Sequence, residues 1–402
     1  MPEPVIVATA RTPIGRAVKG SLREMRPDDL AAFAIQAAMD KIPGLEPALV
    51  EDVMLGCGLP GGEQGYNMAR VVTTLLGWDT VPGTTITRYC ASSTQTMRMA
   101  AHAIKAGEGD VFIAAGVECV SRYGKGSSDG LPDTMNPKFT DAVARTAQRS
   151  RGSEPWSAPQ GLPDIYIAMG QTAENVAQLE GVSRQEQDEF AARSQQLAEE
   201  SIKNGFWERE ISPVTTPDGN IVTQDDGPRP GTTVEKLSQL QPVFRPDGTV
   251  TAGNACPLND GAAAVVVMSD TKAAELGLTP LARIVSTGVS GLNPEIMGLG
   301  PVEASRQAMK RAGLTAADID LFEINEAFAA QVLPSAKQLG IPMDKLNIHG
   351  GSIAVGHPFG MTGARIMNTL LNGLQTTGGR YGLETMCVGG GQGMAIIVER
   401  LG

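Results

Sequence analysis

Short apolar runs recur along this chain, and in most of them the apolar residues are consecutive rather than alternating. They are Pro4–Ala8, Asp52–Leu55, Val111–Ala115, Ala263–Met268, Leu321–Ile324, Leu383–Val388 and Ala395–Val398. A strand with one wet face alternates apolar and polar residues, whereas a strand apolar at successive positions needs cover on both faces. Helices supply that cover. Predicted segments such as Pro27–Met39, Thr94–Ala106, Pro301–Ala312 and Thr362–Leu374 lie between the strands. The pattern predicts α/β layers. At 402 residues the chain exceeds one ordinary single-core domain, so two or three packed units are expected.

The stretch 121–245 breaks the pattern. It is rich in Ser, Gly, Pro and charge, and its strand signals are weak. One helix is well marked there, from Arg184 to about Lys203, with Ser183 and Glu186 as a capping box and Gly205 as a stop. This stretch reads as an inserted, loop-rich subdomain. The flanking parts share a layout. Cys90 opens a helix, a glycine turn follows, then the strand VFIAAGVE; His357 precedes a helix, a glycine turn follows, then GLETMCVGGG. That similarity suggests an internal duplication. The expected division is 1–120 with 246–275 as one half, 121–245 as the insert, and 276–402 as the second half.

The formal net charge of -11 gives no global attraction to nucleic acid or anionic membrane, while a local basic patch for a phosphorylated ligand stays open. The opening MPEPVIVATARTPIG is too mixed for a secretory signal, and no apolar run approaches the ~20 residues of a membrane span. A cytoplasmic location is the expectation. The cysteines Cys57, Cys90, Cys119, Cys256 and Cys387 are far apart, odd in number and form no C-x-x-C pair, which argues against a disulfide framework or a zinc site. His102, His349 and His357 are the only histidines, so histidine chemistry has few candidates.

Four segments could carry chemistry. In RYCASSTQTMRMAAHAI, Cys90 sits at a helix N-terminus, where the dipole and unpaired N–H groups favour the thiolate; a buried structural cysteine is the alternative. In NIHGGSIAVGHPFGMTGAR, Pro358 fixes the chain just after His357 in a glycine-rich loop, which suits a histidine held in one orientation beside a reacting group. His349 reads as structural, and His102 falls inside a helix. In ETMCVGGGQGMAIIVE, Cys387 ends a strand beside bare backbone N–H groups and could act as acid or base near an oxyanion; a β-hairpin with a flexible turn is the alternative. Met394 breaks any G-x-G-x-x-G fingerprint there, so dinucleotide binding is a poor explanation. In EINEAFAAQ, Glu323, Asn325 and Glu326 are expected to follow a strand and precede a helix, and Asn325 could orient a water or donate to an oxyanion, although taken alone a helix cap explains it better.

Together these segments resemble the thiolase family, in order and at matching separations. TAGNACPLNDGAAA, MGQTAENVA and the N-terminal ARTPIG are similar to further family segments, so the likeness covers nearly the whole chain. The resemblance implies the thiolase fold: two duplicated α/β halves in a layered αβαβα arrangement with an inserted loop domain. It implies Cys90 as the acylated nucleophile, His357 as its activator and Cys387 as the second acid/base. Asn325, through a water, and His357 would form one oxyanion hole, and the N–H groups of Cys90 and Gly389 another. One such donor typically contributes about 2.7–4 kcal/mol.

Coenzyme A is implied as a substrate, with no tightly bound cofactor and no metal. It would lie mainly on the loop domain, with Arg229 near adenine and phosphates, and with Met169, Cys256, Met297 and Phe328 along the pantetheine and acyl path. Cys256 stands where the family often has serine, Ala168 where biosynthetic members carry histidine, and Lys236 where a further serine is usual. These departures and the GGS…GHPF form resemble the degradative branch. The expected reaction is CoA-dependent cleavage of 3-ketoacyl-CoA to acetyl-CoA and a shortened acyl-CoA. The alternative is an acetoacetyl-CoA thiolase acting on two-carbon units. The intact Cys90, His357 and Cys387 argue against a non-catalytic lipid-binding member. The family implies a homodimer or homotetramer and admits a hydratase/dehydrogenase partner subunit.

Overall fold

The computed structural model describes residues 2–129, 131–152 and 154–402. The chain opens with β1 (Pro4–Arg11), the two-residue β2 (Gly15–Arg16), α1 (Pro27–Met39), β3 (Asp52–Cys57), α2 (Met68–Leu75), β4 (Gly83–Ile86), α3 (Ser92–Ala106) and β5 (Val111–Cys119). A long excursion follows. It carries α4 (Thr140–Arg149), α5 (Met169–Glu180), α6 (Arg184–Lys203), the small hairpin of β6 (Val214–Thr215) with β7 (Ile221–Val222), and α7 (Val234–Ser238). The chain then returns through β8 (Asn259–Ser269) and α8 (Asp270–Glu275). The last part contains β9 (Ala282–Gly291), α9 (Gly300–Ala312), β10 (Leu321–Ile324), α10 (Ala329–Leu339), α11 (Ser352–Val355), α12 (Thr362–Thr377), β11 (Tyr381–Val388) and β12 (Gln392–Arg400).

The pairing exposes the duplication. In the first half β3 runs parallel to β5, β5 antiparallel to β8, and β8 antiparallel to β1. In the second half β10 runs parallel to β11, β11 antiparallel to β12, and β12 antiparallel to β9. The two sets meet where Val5 and Ile6 of β1 pair with Arg283 and Ala282 of β9. The long excursion joins the antiparallel neighbours β5 and β8; in the second half a turn over Gly389–Gly391 makes the equivalent join between β11 and β12.

The fully apolar strands are covered on both faces. Successive side chains of a strand point to opposite sides. Thus Ala262, Ala264, Val266 and Met268 of β8 pack with Leu30 and Ile35 of α1 and Val72 of α2. Their neighbours Ala263, Val265 and Val267 face Met97 and Ile104 of α3 and Met367 and Leu370 of α12. Ile396 and Val398 of β12 share that inner layer, while Ala395 and Ile397 turn outward to Ala304 of α9 and Val332 and Ala336 of α10. The layers therefore run α, β, α, β, α.

Three expectations need correction. The ten-residue β9 lacks the apolar run that marks the other long strands, because its ARIVSTGVSG sequence mixes Ser, Thr and Arg with aliphatics over a half-buried pattern. The excursion holds α4 and α5 besides the capped α6, so it is more helical than one marked helix implies. Glu323 lies inside β10 rather than after it.

The inner helices fix the geometry that matters below. A Cβ on Gly363 would sit 2.1 Å from Thr94 Oγ1 and 2.4 Å from the Thr94 nitrogen. Ala364 N–H also donates to Ser93 Oγ at 2.9 Å. The first turns of α3 and α12 therefore touch, and the residues just before them, Cys90 and His357, are brought toward one place. Among the described residues no helix is long and apolar enough to cross a membrane.

Candidate active site

Cys90 lies in the single 3-10 turn Tyr89–Ala91 that leads into α3, and Tyr89 takes a φ of +43° to enter it. The thiol is buried, 8% exposed. The backbone N–H groups of Gly389 and of Cys90 itself bear on the sulfur and favour its anion. Burial outweighs them and pushes the thiol up to about 12. The expectation of a resting thiolate at a helix N-terminus is thus corrected: desolvation exceeds the stabilisation from the dipole and N–H groups, and the cysteine rests protonated.

His357 is 1% exposed. Its Nδ1 lies 2.5 Å from Thr362 Oγ1. The Thr362 hydroxyl proton goes to the Pro358 carbonyl at 2.8 Å, so Thr362 accepts from Nδ1–H and the lone pair resides on Nε2. The His357 N–H donates to Asn259 Oδ1 at 2.9 Å. Burial, helped by the charge of Arg365, lowers the imidazole to about 3. It therefore rests neutral, as a base must.

Asn325 does not cap a helix; the N-cap of α10 is Phe328. The Asn325 amide Nδ2 faces His357 Nε2 at 3.2 Å. Its Oδ1 accepts from Ser352 Oγ at 2.6 Å, and Ser352 Oγ accepts from Arg365 Nη2 at 2.7 Å. This chain fixes which end of the amide faces the histidine. The cap reading failed because helix α10 starts three residues later than the motif suggests.

Cys387 is the penultimate residue of β11, fully buried, opposite Gly393 of β12. The hairpin reading of this segment holds as geometry: Gly390 and Gly391 both take φ of +77°, which the tight turn requires. That turn is what carries the Gly389 N–H to Cys90. Burial raises the Cys387 thiol well above its ordinary value, and Cys90 and Cys256 lie close enough that ionising either would raise it further, which groups these sulfurs in one region.

Cys387, Met297 and Phe328 belong to one apolar cluster, with Met169 and Cys256 packed against it. The Cys256 N–H donates to the Ala327 carbonyl at 3.0 Å, tying the TAGNACPLND segment to the Asn325 segment. Arg229 lies apart. It lines a small hollow with Gln195, Gly227 and Ala255, its N–H donates to Gln195 Oε1, and its guanidinium enters no ion pair among the described residues. Lys236 Nζ donates to the Gly231 carbonyl nearby. His349 stacks on Phe206, centroids 3.5 Å apart, with Nδ1 3.3 Å from Ser201 Oγ, which is a structural role. His102 is an exposed residue of α3.

A cavity of about 480 Å3 opens onto Cys90 and Gly389. Leu59, Met169, Phe359, Leu131, Ile165 and Ile167 give it largely apolar walls. Sequence reasoning passed over the residues that hold this region: Thr362, Ser352, Arg365 and above all Glu118. The buried Glu118 carboxylate accepts from the N–H groups of Gly58 at 2.6 Å, Leu59 at 3.3 Å and Gly360 at 2.9 Å, and from Gln64 and Tyr123. It ties the first half to the loop that follows His357. A buried acidic residue in an otherwise apolar strand was the one signal that could have found it.

The model of the thiolase N-terminal domain matches residues 4–271, and that of the thiolase C-terminal domain matches residues 278–400. The chain is 42% identical to a 3-ketoacyl-CoA thiolase of Bacillus subtilis, over 99% of this chain and all of that one. It is 44% identical to a beta-ketoadipyl-CoA thiolase of Escherichia coli, over the whole of both. Among solved structures it superposes on the human mitochondrial 3-ketoacyl-CoA thiolase with a TM-score of 0.86 at 35% identity, covering 100% of this chain and 99% of that one. The acetyl-CoA acetyltransferase of Bacillus anthracis gives 0.87 at 39% identity, with the same coverage.

Proposed function

The chain belongs to the thiolase family and is an acyltransferase, and from that premise we propose that it cleaves 3-ketoacyl-CoA with CoA, releasing acetyl-CoA and a shortened acyl-CoA. The observation that carries this reading is the buried Cys90 thiol on the cavity with the N–H groups of Gly389 and Cys90 bearing on its sulfur, while the buried thiol of Cys387 stands two residues before Gly389 in the same hairpin.

In this reading the His357 Nε2 takes the Cys90 proton, and the sulfur attacks the C3 carbonyl. The tetrahedral oxyanion is met by fixed donors rather than by water. The C2–C3 bond breaks, the acyl group stays on Cys90 as a thioester, and the electron pair goes to C2 of acetyl-CoA as an enolate. Cys387 protonates that carbon. The thioester oxygen of the enolate needs its own donors, and the Asn325 amide with protonated His357 supplies them. A second CoA thiol then attacks the acyl-Cys90 thioester, its proton passing to a base of the site, and regenerates the Cys90 thiol. A protonated resting thiol and a neutral imidazole suit this sequence, because the proton moves only when substrate fills the cavity.

Coenzyme A would follow the side of the molecule bearing the Met169, Cys256, Met297 and Phe328 cluster, with Arg229 as the free cation for its phosphates. That support is the grouping of the four residues and the unpaired guanidinium. The cavity volume lies within the range of about 300–1,000 Å3 usual for small-molecule sites and leaves room for acyl chains longer than acetoacetyl. Names among the relatives leave the acyl group divided between 3-ketoacyl and β-ketoadipyl types.

The test is CoA-dependent loss of 3-ketoacyl-CoA across chain length. Rising kcat/KM beyond acetoacetyl-CoA is expected. Turnover of acetoacetyl-CoA alone would move the chain to the acetyltransferase reading.

A further inference from the structure

A ketoacyl chain ending in methyl and one ending in carboxylate differ at one carbon, and the charge of the lining of the cavity beside Cys90 bears on that difference. Its walls are mostly aliphatic or aromatic, its neutral polar groups include Tyr89 and Tyr166, and its single charged residue is Asp129. No lysine, arginine or histidine lines it among the described residues. A carboxylate entering such a space loses water, meets no cation and approaches a like charge. Resting on the thiolase reading, we infer that this acyl cavity takes uncharged 3-ketoacyl chains and rejects those ending in a carboxylate, with Asp129 as the residue that sets its sign.

One cation stands in the adjoining hollow, which shares Tyr89, Ser128 and Asp129 with the cavity. It is Arg88, and it is engaged elsewhere. Its Nε donates to Gln95 at 3.0 Å and its Nη1 to Gln392 at 2.6 Å, and both bonds hold the guanidinium against the protein rather than against an acyl tail. Asp129 itself is exposed, so its repulsion is screened and accounts for only part of the rejection; the larger part is the missing counter-ion.

The experiment compares 3-oxohexanoyl-CoA with 3-oxoadipyl-CoA, which share a six-carbon chain and differ only in the terminal group. Thiolysis of both is followed with the wild-type enzyme, Asp129→Asn and Asp129→Lys. The wild type is expected to prefer the neutral substrate in kcat/KM by at least about 100-fold. Asp129→Asn narrows that ratio by about 2–5-fold, the scale of an exposed charge. Asp129→Lys, which supplies the counter-ion, narrows it by at least about tenfold. A wild-type ratio within about threefold overturns the inference and leaves the thiolase reading intact. So does a wild type that consumes 3-oxoadipyl-CoA and loses that activity on Arg88→Gln, which would make Arg88 the carboxylate's partner. Failure of both substrates overturns the inference together with the reading on which it rests.

Discussion

The Asn325 amide nitrogen lies 3.2 Å from His357 Nε2, and the opposite end of the same amide is held at 2.6 Å by the Ser352 hydroxyl. Arg365, buried in the first turn of α12, donates to Ser352 and completes the chain. The amide therefore presents donors, not an acceptor, to the region where negative charge is proposed to develop. Asn325→Asp keeps the shape and removes the donors. Its kcat should fall by about 100- to 1,000-fold, the range for losing one preorganised donor, with KM changed far less. An unchanged kcat would remove Asn325 from the mechanism. Ser352→Ala frees the amide to turn and should lower kcat by less, up to about tenfold, with Ser352→Thr restoring it; equal effects of Ala and Thr would mean that the hydroxyl does not orient the amide.

Cys387 and Cys90 separate the two halves of the proposed chemistry. Thioester exchange onto Cys90 needs no carbon acid, whereas cleavage of C2–C3 needs a proton for the leaving carbon. Cys387→Ala should still accept an acetyl group from acetyl-CoA, yet lose 3-ketoacyl cleavage by at least about 100-fold. Radiolabelled acetyl-CoA followed by gel filtration measures the first, and loss of ketoacyl absorbance measures the second. Retained cleavage would assign the proton to another group.

Thr362 sets the tautomer of His357 through the Nδ1 contact. In Thr362→Val the Nδ1–H loses its acceptor, so the proton no longer has a reason to stay there. The kcat/KM should drop about tenfold or more, and Thr362→Ser should recover most of it. A Val variant at full rate would mean that the Pro358 loop alone orients the ring.

Glu118 joins three backbone N–H groups, Gln64 and Tyr123, so its removal leaves several buried donors unpaired. Glu118→Ala should cost about 3–5 kcal/mol of stability, as for breaking a buried charged network. Chemical denaturation measures it. A cost below about 1 kcal/mol would show that water replaces the carboxylate without loss.

Both buried histidines resist protonation, burial lowering His357 to about 3 and His349 to about 4 from the ordinary value of 6.5. Below 6.5 the unfolded chain binds protons that the folded chain refuses, so unfolding free energy falls as pH falls through 6.5 toward 4. His349→Phe keeps an aromatic ring on Phe206 and removes one of the two protons. Its urea midpoint should drop less than that of the wild type between pH 7 and pH 5. Equal drops would show that His349 does not contribute to the acid sensitivity.

How far the sequence could be read depended on how local the signal was. The strand runs at β8, β10 and β12 were legible because cover on both faces makes most successive positions apolar, and α6 was legible because Ser183 and Glu186 form its capping box. Strand β9 escaped because its mixed Ser, Thr and Arg residues resemble loop. Cys90, His357 and Cys387 stood out in glycine-rich segments, but the state of Cys90 did not, since desolvation is set by the whole fold and not by the helix it opens. Asn325 looked like a cap because the histidine, serine and arginine that claim it are distant in sequence. Arg365 was invisible for the same reason, and Glu118 showed only as an acid in an otherwise apolar strand, its partners Gly58, Gln64 and Gly360 being distant in sequence.

The most direct test of the account is to mix the enzyme with 3-oxohexanoyl-CoA in the absence of CoA, quench in acid and examine the peptides by mass spectrometry. The account predicts a butanoyl adduct on the Cys90 peptide, with acetyl-CoA released in equal amount, and no adduct in Cys90→Ala. An adduct on Cys256 or Cys387 instead, or acetyl-CoA release that persists in Cys90→Ala, would contradict it.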